Sequence, residues 1–431
     1  AGGRVAVDVA IAGVLRHITD EVHFLVDVRQ GGGGKAWETV ARRSFVPSTE
    51  PLGSSWQSVV GDLARYGGRT VDVRLRAIRG PFGGGVDEGT TGRLERANVY
   101  WGNPILIGAL PRDRRPNLLL VTLDTTRADA IGAFSSQPAL CRTPFIDRLA
   151  SEAAVFSNAW TACNSTSPSH ASMMTGLHVQ DHGVANNRSI LAPDAVTLAE
   201  RLRDEGYYTA AAVSAQHLQA GHSGLGQGFD QFLLARREAS TDGSITIEAV
   251  RTWLYQWKQA GDRPFFLWVH LFDPHTPYGP PKEFLDLYRQ RSRRAVPSRY
   301  ARPPTVPTTA WHRPGEFLDG VTNREYAAFL YGAGVSYADE LVSRLWAEIE
   351  VSADVDSTAL FLAADHGESL GERGLWFVHR GLFGEVMRVP MLFRPPGGGP
   401  GKRYDALTST LDLPSTILGL PGLEPTEGMG G

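Results

Sequence analysis

Hydrophobic and polar positions alternate in two segments near the start of the chain. Between 22 and 29 every even position is apolar, with His23 and Asp27 among the intervening residues, and 71–76 repeats the pattern. A period of two is typical of a strand that turns one face to a core and the other to solvent. We therefore predict a β-sandwich domain over residues 1–112.

The pattern changes after a short linker rich in Arg and Pro at 110–116. Beyond it, continuous apolar runs alternate with segments of helical period. The runs occupy 118–123, 265–269 and 359–363, and helices are predicted to begin at Thr143 and Thr197. Apolar strands separated by helices indicate an α/β domain over residues 113–431, with a mainly parallel sheet covered by helices on both faces.

Composition and charge narrow the function classes. The 431 residues carry a formal net charge of -3, with no run of one sign that would point to nucleic acid as a partner. No apolar stretch approaches the length of a transmembrane helix, about 18 to 20 residues, and we predict no signal peptide at the start. The compartment stays open, with a periplasmic or secreted location favoured. Cys141 and Cys163 could form one disulfide or remain buried thiols.

Three tryptophans of the N-terminal segment have two interpretations. Trp37, Trp56 and Trp101 could stack on a sugar or belong to the core of a small sandwich, and the second is the commoner role. The segments around Trp56 and at 98–104 resemble jelly-roll modules attached to bacterial glycan-acting enzymes. Contact between this domain and carbohydrate is therefore kept as a hypothesis.

Polar residues follow two of the predicted buried strands. Asp124 ends one run, and Asp365 and His366 end another. In open α/β sheets, ligands bind outside the carboxyl ends of the strands. Carboxylates and an imidazole there are suited to a divalent cation, although each residue alone could serve a turn or a helix cap.

A cluster of hydroxyl residues lies between these strand ends. The segment 163–176 reads CNSTSPSHASMMTG, with Ser and Thr preceding a predicted helix. A side-chain oxygen and free backbone amides at a helix start would face the same anion. The alternative is an ordinary Ser or Thr helix cap.

Seven segments of the chain resemble the sulfatase family of the alkaline phosphatase superfamily, in the family's order and context. They are PNLLLVTLDTTRAD, TPFIDRLASEA, TSPSHASMMTG, HGVANN, HLFDPHTPY, AADHGESLGERG and GLFGEVMRVPML. The resemblance runs from Pro116 to about Gly422 and implies an alkaline-phosphatase-like fold for 113–431. Because family members continue into a small C-terminal subdomain, we expect the C-terminus to be truncated.

The nucleophile position departs from the family pattern. Sulfatases carry Cys-x-Pro-x-Arg, whose cysteine becomes formylglycine, whereas this chain has Thr166, Pro168 and His170 at those places. Threonine cannot give formylglycine. A threonine nucleophile resembles that of the nucleotide phosphodiesterases and phosphoglycerol transferases of the superfamily.

The resemblance also implies a metal site. The implied ligands of one divalent ion (Mn, Zn or Ca) are Asp124, Thr166, Asp365 and His366. Sulfatases have a second aspartate where this chain has Thr125, so the set is similar to the single-metal sites of phosphonate monoester hydrolases and phosphoglycerol transferases.

Other positions receive roles from the same resemblance. The resemblance implies catalytic roles for Thr166, His275, His379 and His170. It implies substrate binding by Asn187, His275 and His379. One of His275 and His379 would protonate the leaving oxygen, while His170 would hold the nucleophile or contact substrate. Structural roles are expected for Arg127, Asp129, His182, Glu368 and Asp339, and His270 could be either.

The sequence therefore predicts a metal-dependent hydrolase that cleaves phosphate mono- or diesters or phosphonate esters through Thr166. The substrate would be a small-molecule, glycan-linked or lipid-linked anionic ester. The alternatives are sulfate ester hydrolysis through an unmodified threonine, phosphoglycerol-type transfer, and a glycan-binding protein with a relic site. Retention of all four implied ligand positions argues against the relic. The natural substrate, the identity of the metal and the oligomeric state do not follow from the sequence.

Overall fold

The computed structural model forms two compact units. One comprises residues 1–113 with 255–263, and the other comprises 114–254 with 264–431. The described residues are 4–12, 22–30, 36–45, 57–63, 66, 71–79, 98–107, 115–135, 141–234, 242–260, 263–291 and 324–425. Among the described helices, none combines the length and apolar character needed to cross a bilayer.

The first unit contains two antiparallel sheets of three strands, in the orders β4-β1-β6 and β3-β2-β5. The strands are β1 (Arg4–Ala12), β2 (Val22–Gln30), β3 (Glu38–Phe45), β4 (Gln57–Asp62), β5 (Val71–Arg79) and β6 (Asn98–Ile107). The two alternating segments of the sequence are thus β2 and β5. A sandwich of the two sheets stays a prediction.

Strand β2 is buried on both faces, so the expectation that its polar face meets solvent was wrong. Phe24, Val26 and Val28 belong to the core of this unit, and His23 and Asp27 on the other face are also 0% exposed. The strand tolerates an interior carboxylate because neighbouring strands supply donors to it.

These donors surround Asp27. Thr39 Oγ1 donates to its Oδ1 at 2.7 Å, and the guanidinium groups of Arg74 and Arg76 both bind its carboxylate. Burial alone would raise the pKa of Asp27, but the hydrogen bonds from Arg76, Thr39 and Arg74 outweigh it and hold the pKa below its usual value. Asp27 is therefore an ionised group that joins three strands.

Of the three tryptophans that could contact sugar or belong to the core, the structure describes the side chain of Trp37. Trp37 is half-buried, and the guanidinium carbons of Arg29 and Arg74 lie 4.5 Å and 4.4 Å from its ring centre. Its ring therefore contacts cationic groups of β2 and β5. Trp56 and the side chain of Trp101 lie outside the described part of the chain.

The second unit is an α/β domain around one large sheet. Its strands are β7 (Asn117–Leu123), β8 (Ala154–Phe156), β9 (Ala159–Trp160), β10 (Tyr208–Val213), β11 (Gln231–Leu234), β12 (Phe265–Leu271), β13 (Thr358–Ala364), β14 (Ser369–Leu370), β15 (Trp376–Val378), β16 (Met391–Arg394), β17 (Lys402–Tyr404) and β18 (Thr408–Ser409). Its helices are α1 (Pro144–Ala150), α2 (Thr166–Thr175), α3 (Val179–His182), α4 (Leu198–Asp204), α5 (Ala220–Ser223), α6 (Gly243–Ala260), α7 (Lys282–Arg291), α8 (Arg324–Ser352), α9 (Gly384–Met387) and α10 (Asp412–Gly419). Residues 255–260 at the end of α6 are grouped with the first unit.

The central sheet has the order β11-β10-β12-β7-β13-β16-β8-β17. The first five strands are mutually parallel, and β16 is antiparallel to both of its neighbours. Strands β7, β12 and β13 are buried along their whole length, as their continuous apolar runs predict. The predicted α/β class with a mainly parallel sheet is confirmed.

Both predicted helix starts are confirmed, and each has a polar anchor. Helix α4 begins after Thr197 with a capping box, in which Thr197 and Glu200 each accept from the other's backbone N–H. Helix α1 begins after Thr143, and the carboxylate of Asp339 on α8 accepts from the backbone N–H groups of Phe145 and Ile146. The predicted structural role of Asp339 is therefore the anchoring of α1.

The Asp27 cluster yields a stability prediction. In Asp27→Asn the two arginines lose their carboxylate, and we expect the first unit to lose about 1 to 3 kcal/mol of unfolding free energy. Because the pKa of Asp27 is lowered in the folded state, its contribution is present above the ordinary carboxyl range and is lost as the pH falls through the lowered value. Hydrogen exchange of β2 and β5 in the full chain measures the change.

Asp72→Asn is the matched control, because Asp72 pairs with Arg29 at 2.8 Å while 43% exposed. A surface pair of this kind contributes about 0 to 1 kcal/mol. Equal acceleration of exchange in the two variants would contradict the special contribution of the buried carboxylate.

Candidate active site and metal centre

The carboxyl ends of three neighbouring strands meet at one edge of the central sheet. Leu123 of β7 is aligned with Leu271 of β12 and with Ala364 of β13. The residues that follow, Asp124 after β7 and Asp365 after β13, therefore lie close together. This is the edge at which ligands bind in open α/β sheets.

Asp124, Asp365 and His366 form a buried group of candidate metal ligands. One ligand atom of each lies within 4.8 Å of the others. His366 Nε2 is 3.4 Å from Asp365 Oδ2 and 3.9 Å from Asp124 Oδ1, and Thr166 Oγ1 is 3.3 Å from the same nitrogen. All four side chains are 0% exposed. The structure thus brings the four implied metal ligands together.

The donor atoms of this group fit a divalent cation. Within the described part of the chain, both oxygens of Asp124 and Oδ2 of Asp365 have no hydrogen bond. Interior carboxylate oxygens without donors are costly, and a cation would satisfy them. Two carboxylates, an imidazole and a hydroxyl are ligands that Mn²⁺, Zn²⁺ and Ca²⁺ accept to different degrees.

The turn after β7 is fixed from two sides. Thr125 has a φ of 48°, which is rare for a β-branched residue. Its backbone N–H donates to Asp365 Oδ1 at 3.2 Å, and its carbonyl accepts from the hydroxyl of Tyr331 on α8 at 3.0 Å. These bonds hold a strained turn that places Asp124 beside Asp365.

Helix α2 begins at Thr166, beside His366. Asn187 Oδ1 accepts from the Ser167 backbone N–H at 2.8 Å and from Ser165 Oγ at 3.1 Å. Because a backbone N–H can only donate, the oxygen of Asn187 is directed to α2 and its amide donors remain for another group. The implied substrate ligand Asn187 therefore lies against both neighbours of Thr166.

His170 lies one turn along α2 and is fully buried. Its Nδ1 is 2.8 Å from the Thr166 carbonyl, which can only accept, so this nitrogen carries the proton. Its Nε2 is 3.0 Å from Thr122 Oγ1, and that oxygen accepts from Trp268 Nε1 at 3.0 Å. Burial, with the neighbouring His270, places the pKa of His170 well below its usual value. His170 thus holds the backbone of Thr166 as a neutral ring.

A second group of side chains surrounds the outer part of the site. The ring of His379 lies 4.4 Å from that of His366 and 5.6 Å from that of His275. Glu368 Oε1 is 3.8 Å from His379 Nδ1, and Glu368 Oε2 accepts from the hydroxyl of Tyr278 at 2.7 Å. His275 and His379 are therefore brought to the candidate metal centre, and Glu368 supports one of them.

The two outer histidines differ in charge. Burial lowers the pKa of His275 to about 3, with a further contribution from the charge of His379. Burial alone would also lower the pKa of His379, but Glu368, Asp124 and Asp365 outweigh it and raise the pKa. His379 is accordingly the better proton donor of the pair.

Burial dominates the titration of the two candidate carboxylate ligands. It raises the pKa of Asp124, and the charge of Glu368 raises it further. It also places the pKa of Asp365 well above its usual value, with the neighbouring Asp124 adding to the effect. The metal-free site therefore favours protonated carboxyl groups.

His217 lies near the candidate site but was not predicted from the sequence. It lies in the short 3-10 turn Gln216–Leu218 that follows β10, next to β12 in the sheet. Burial lowers the pKa of His217 to about 4, with contributions from the charges of His270 and His379. The signal was available, because His217 follows a buried strand at the same sheet edge as Asp124.

Other residues of the family segments have structural partners. Arg127 pairs with Asp129 and Glu372, and His182 Nε2 lies 3.0 Å from Ser172 Oγ on α2.

Cys141 and Cys163 are free thiols, which excludes the disulfide between them in this structure.

The sheet and the polar residues at its carboxyl edge define an alkaline-phosphatase-like fold. The profile of the family described as Sulfatase matches residues 116–423. The chain belongs to the sulfatase family. Enzymes of the sulfatase family are ester hydrolases, and enzymes of the alkaline phosphatase superfamily use a divalent metal.

Two curated relatives carry sulfatase names. The uncharacterised sulfatase YidJ of Escherichia coli (strain K12) is 26% identical over 73% of this chain and 69% of its own length. The choline-sulfatase of Rhizobium meliloti (strain 1021) is 27% identical over the same shares. A solved phosphonate monoester hydrolase from Silicibacter pomeroyi is similar with a TM-score of 0.62 and 20% identity, over 74% of this chain and 75% of that one. This last likeness concerns the fold.

The raised carboxyl pKa values predict that metal-free protein loses stability as the pH rises. Between the ordinary carboxyl range and the raised pKa values of Asp124 and Asp365, the folded state binds more protons than the unfolded chain. The free energy of unfolding then falls with rising pH. Added Mn²⁺ or Zn²⁺ should reverse this loss, because the cation binds the ionised pair of the folded state. Calorimetric melting from about pH 5 to about pH 8, with chelator or metal, measures both effects.

Asp124→Asn should flatten this pH slope and weaken the stabilisation by metal. Asp204→Asn, at a carboxylate that is 72% exposed, is the control and should retain both. A metal-free melting temperature that rises over this pH range would contradict the prediction.

Proposed function

We propose that the chain hydrolyses phosphate or phosphonate esters through Thr166. The observation that carries the proposal is a threonine hydroxyl at the start of a buried helix, 3.3 Å from His366 of the candidate metal centre. Threonine cannot form the aldehyde hydrate on which formylglycine sulfatases depend. Its hydroxyl can act directly as a nucleophile toward phosphorus.

The reaction has two displacements. Thr166 Oγ1 gives up its hydroxyl proton to water and attacks phosphorus, the bond to the leaving oxygen breaks as that oxygen takes up a proton, and the threonine is left as a phosphate or phosphonate ester. Water then attacks the same phosphorus, the bond from phosphorus to Oγ1 breaks, and Oγ1 takes up a proton to restore the hydroxyl. A divalent cation, when bound, supplies a lowered pKa for the Thr166 hydroxyl and charge stabilisation for the phosphoryl oxygens.

Several groups of the chain suit an anionic ester. The Asn187 amide donors have no partner within the described part of the chain, and the oxygen of the same amide is held by Ser167 and Ser165. The start of α2 adds backbone dipoles that favour negative charge next to Thr166. These groups would orient the phosphoryl oxygens toward the nucleophile.

The two outer histidines receive separate tasks. His379, whose pKa Glu368 raises against the opposing effect of burial, protonates the leaving oxygen. His275 donates Nδ1–H to the Thr276 carbonyl, so its neutral ring keeps Nε2 as an acceptor that can orient the attacking water. His170 acts through the Thr166 backbone as a positioning residue.

Sulfate ester hydrolysis through the unmodified threonine is the second candidate function. The sulfatase names of the curated relatives favour it, including choline-sulfatase. A solved relative bound to D-glucosamine-2-N,6-O-disulfate makes a sulfated glycan a reasonable substrate for that case. Such an enzyme would have to pass through a threonine sulfate ester, which only attack by water at sulfur could release.

A comparison of matched aryl esters distinguishes the two functions. With Mn²⁺, Zn²⁺ or Ca²⁺ added, we expect a higher kcat/KM for an aryl phosphate mono- or diester than for the aryl sulfate with the same leaving group. Thr166→Ala should lower kcat/KM by about 1000-fold, equivalent to about 4 kcal/mol of transition-state stabilisation. Thr175→Ala, which removes a hydroxyl at the other end of α2, is the control and should stay near wild type.

The possible outcomes test the nucleophile assignment and the substrate class separately. A higher kcat/KM for the sulfate, lost in Thr166→Ala, would replace the phosphate proposal with the sulfate one. Equal activity in Thr166→Ala and wild type would remove Thr166 from the mechanism.

The role of His379 predicts a dependence on the leaving group. His379→Gln should lose about 100-fold in kcat/KM with an alkyl phosphate and about 10-fold or less with 4-nitrophenyl phosphate, whose leaving oxygen needs no proton. Wild-type activity on the alkyl ester should fall as the pH rises and His379 loses its proton, and the variant should lack this limb. His178→Gln, at an exposed histidine before α3, is the control. Equal losses with the two esters would assign His379 to binding.

A further inference from the structure

Two buried histidine rings next to the candidate metal centre differ in their hydrogen bonding. His170 and His270 are both 0% exposed, and their rings lie 5.0 Å apart. Both nitrogens of His170 are engaged, one with the Thr166 carbonyl and the other with Thr122 Oγ1. Neither nitrogen of His270 has a hydrogen bond within the described part of the chain. An interior polar ring without a partner is rare, so His270 requires an explanation.

One nitrogen of His270 lies close to a candidate metal ligand. His270 Nε2 lies 3.4 Å from Asp124 Oδ2, while the other oxygen of that carboxylate lies 3.9 Å from His366 Nε2. The Asp124 carboxylate is therefore located between two imidazoles. Neither of its oxygens has a hydrogen bond among the described residues.

These separations suit ligands of one ion better than hydrogen bonds. Hydrogen bonds between nitrogen and oxygen span about 2.7 to 3.2 Å. Ligand atoms at about 2.0 to 2.3 Å from a shared cation are instead separated by about 3 to 4.5 Å. His270 also belongs, with Asp365, to a buried group whose ligand atoms lie within 4.8 Å of one another. The third member of that group, His170, is excluded because both of its nitrogens are already bonded.

We propose that His270 is a direct ligand of the divalent cation, through Nε2, in addition to Asp124, Asp365, His366 and Thr166. The coordination sphere would then contain two imidazoles, one from the end of β12 and one from the end of β13. The proposal depends on the candidate metal centre but not on the choice between phosphate and sulfate. Two carboxylates, two imidazoles and a hydroxyl shift the preference from Ca²⁺, which takes oxygen ligands, toward Zn²⁺ or Mn²⁺.

The test counts imidazoles in the full chain loaded with Zn²⁺. X-ray absorption at the zinc edge should give two imidazole nitrogens in wild type, at about 2.0 to 2.1 Å, and one in His270→Asn. Competition with a chelating dye should show a weaker affinity for Zn²⁺ in this variant, by about 100-fold. His170→Asn is the matched control, since it alters an equally buried imidazole, and it should keep two imidazoles and one Zn²⁺ per chain.

A second substitution guards against a folding defect. The amide of His270→Gln can reach the position of Nε2, so this variant should show one imidazole but recover part of the affinity. One imidazole in wild type, or unchanged affinity in a folded His270→Asn, would overturn the proposal. Two imidazoles in a protein that cleaves neither aryl phosphate nor aryl sulfate would support the ligand assignment while rejecting the proposed function.

Discussion

Two carboxylates buried side by side at the edge of a parallel sheet are the constraint on which the rest of the site depends. Asp124 and Asp365 follow aligned strands, and both are 0% exposed. Each raises the energy of the other's ionised form, and the interior offers them few donors. Such a pair persists only if protons or a cation neutralise it. The strained turn at Thr125, which donates its N–H to Asp365, is part of the same arrangement.

The fold was predictable from the sequence where burial leaves a continuous apolar run. Strands β7, β12 and β13 are covered on both faces, so their sequences contain hardly any polar residues before the polar end. The positions of Asp124, Asp365 and His366 follow from that pattern together with the rule for open α/β sheets. Three of the four implied ligands could be anticipated because they follow strand ends, whose alignment the parallel pairing imposes, whereas the fourth, Thr166 at the start of α2, was implied by the family resemblance.

Other features could not be predicted from the sequence because they depend on contacts between residues far apart in the chain. The burial of Asp27 requires Arg74 and Arg76 from another strand, and alternation in β2 gives no sign of them. His170 and His270 look alike as single histidines near apolar segments. Only the positions of Thr122, Trp268 and the Thr166 carbonyl separate a hydrogen-bonded ring from an unpartnered one. His217 was missed for a simpler reason, since its strand, β10, was not considered.

The replacement of cysteine by threonine has consequences beyond the nucleophile itself. A formylglycine hydrate expels its sulfate by collapsing to the aldehyde. A threonine ester is released only when water attacks it. In the proposed reaction, the groups near Thr166 that can donate or accept a proton are therefore more important than in a formylglycine sulfatase. Glu368 Oε1 lies 3.8 Å from His379 Nδ1, the other oxygen of Glu368 accepts from Tyr278, and the neutral His275 ring lies beside His379. A donor and an acceptor next to one ester suit a reaction in which an alcohol must leave and water must then enter. Because threonine ester hydrolysis at phosphorus requires both, this pair of histidines agrees with a phosphoryl substrate better than with a site that only binds an anion.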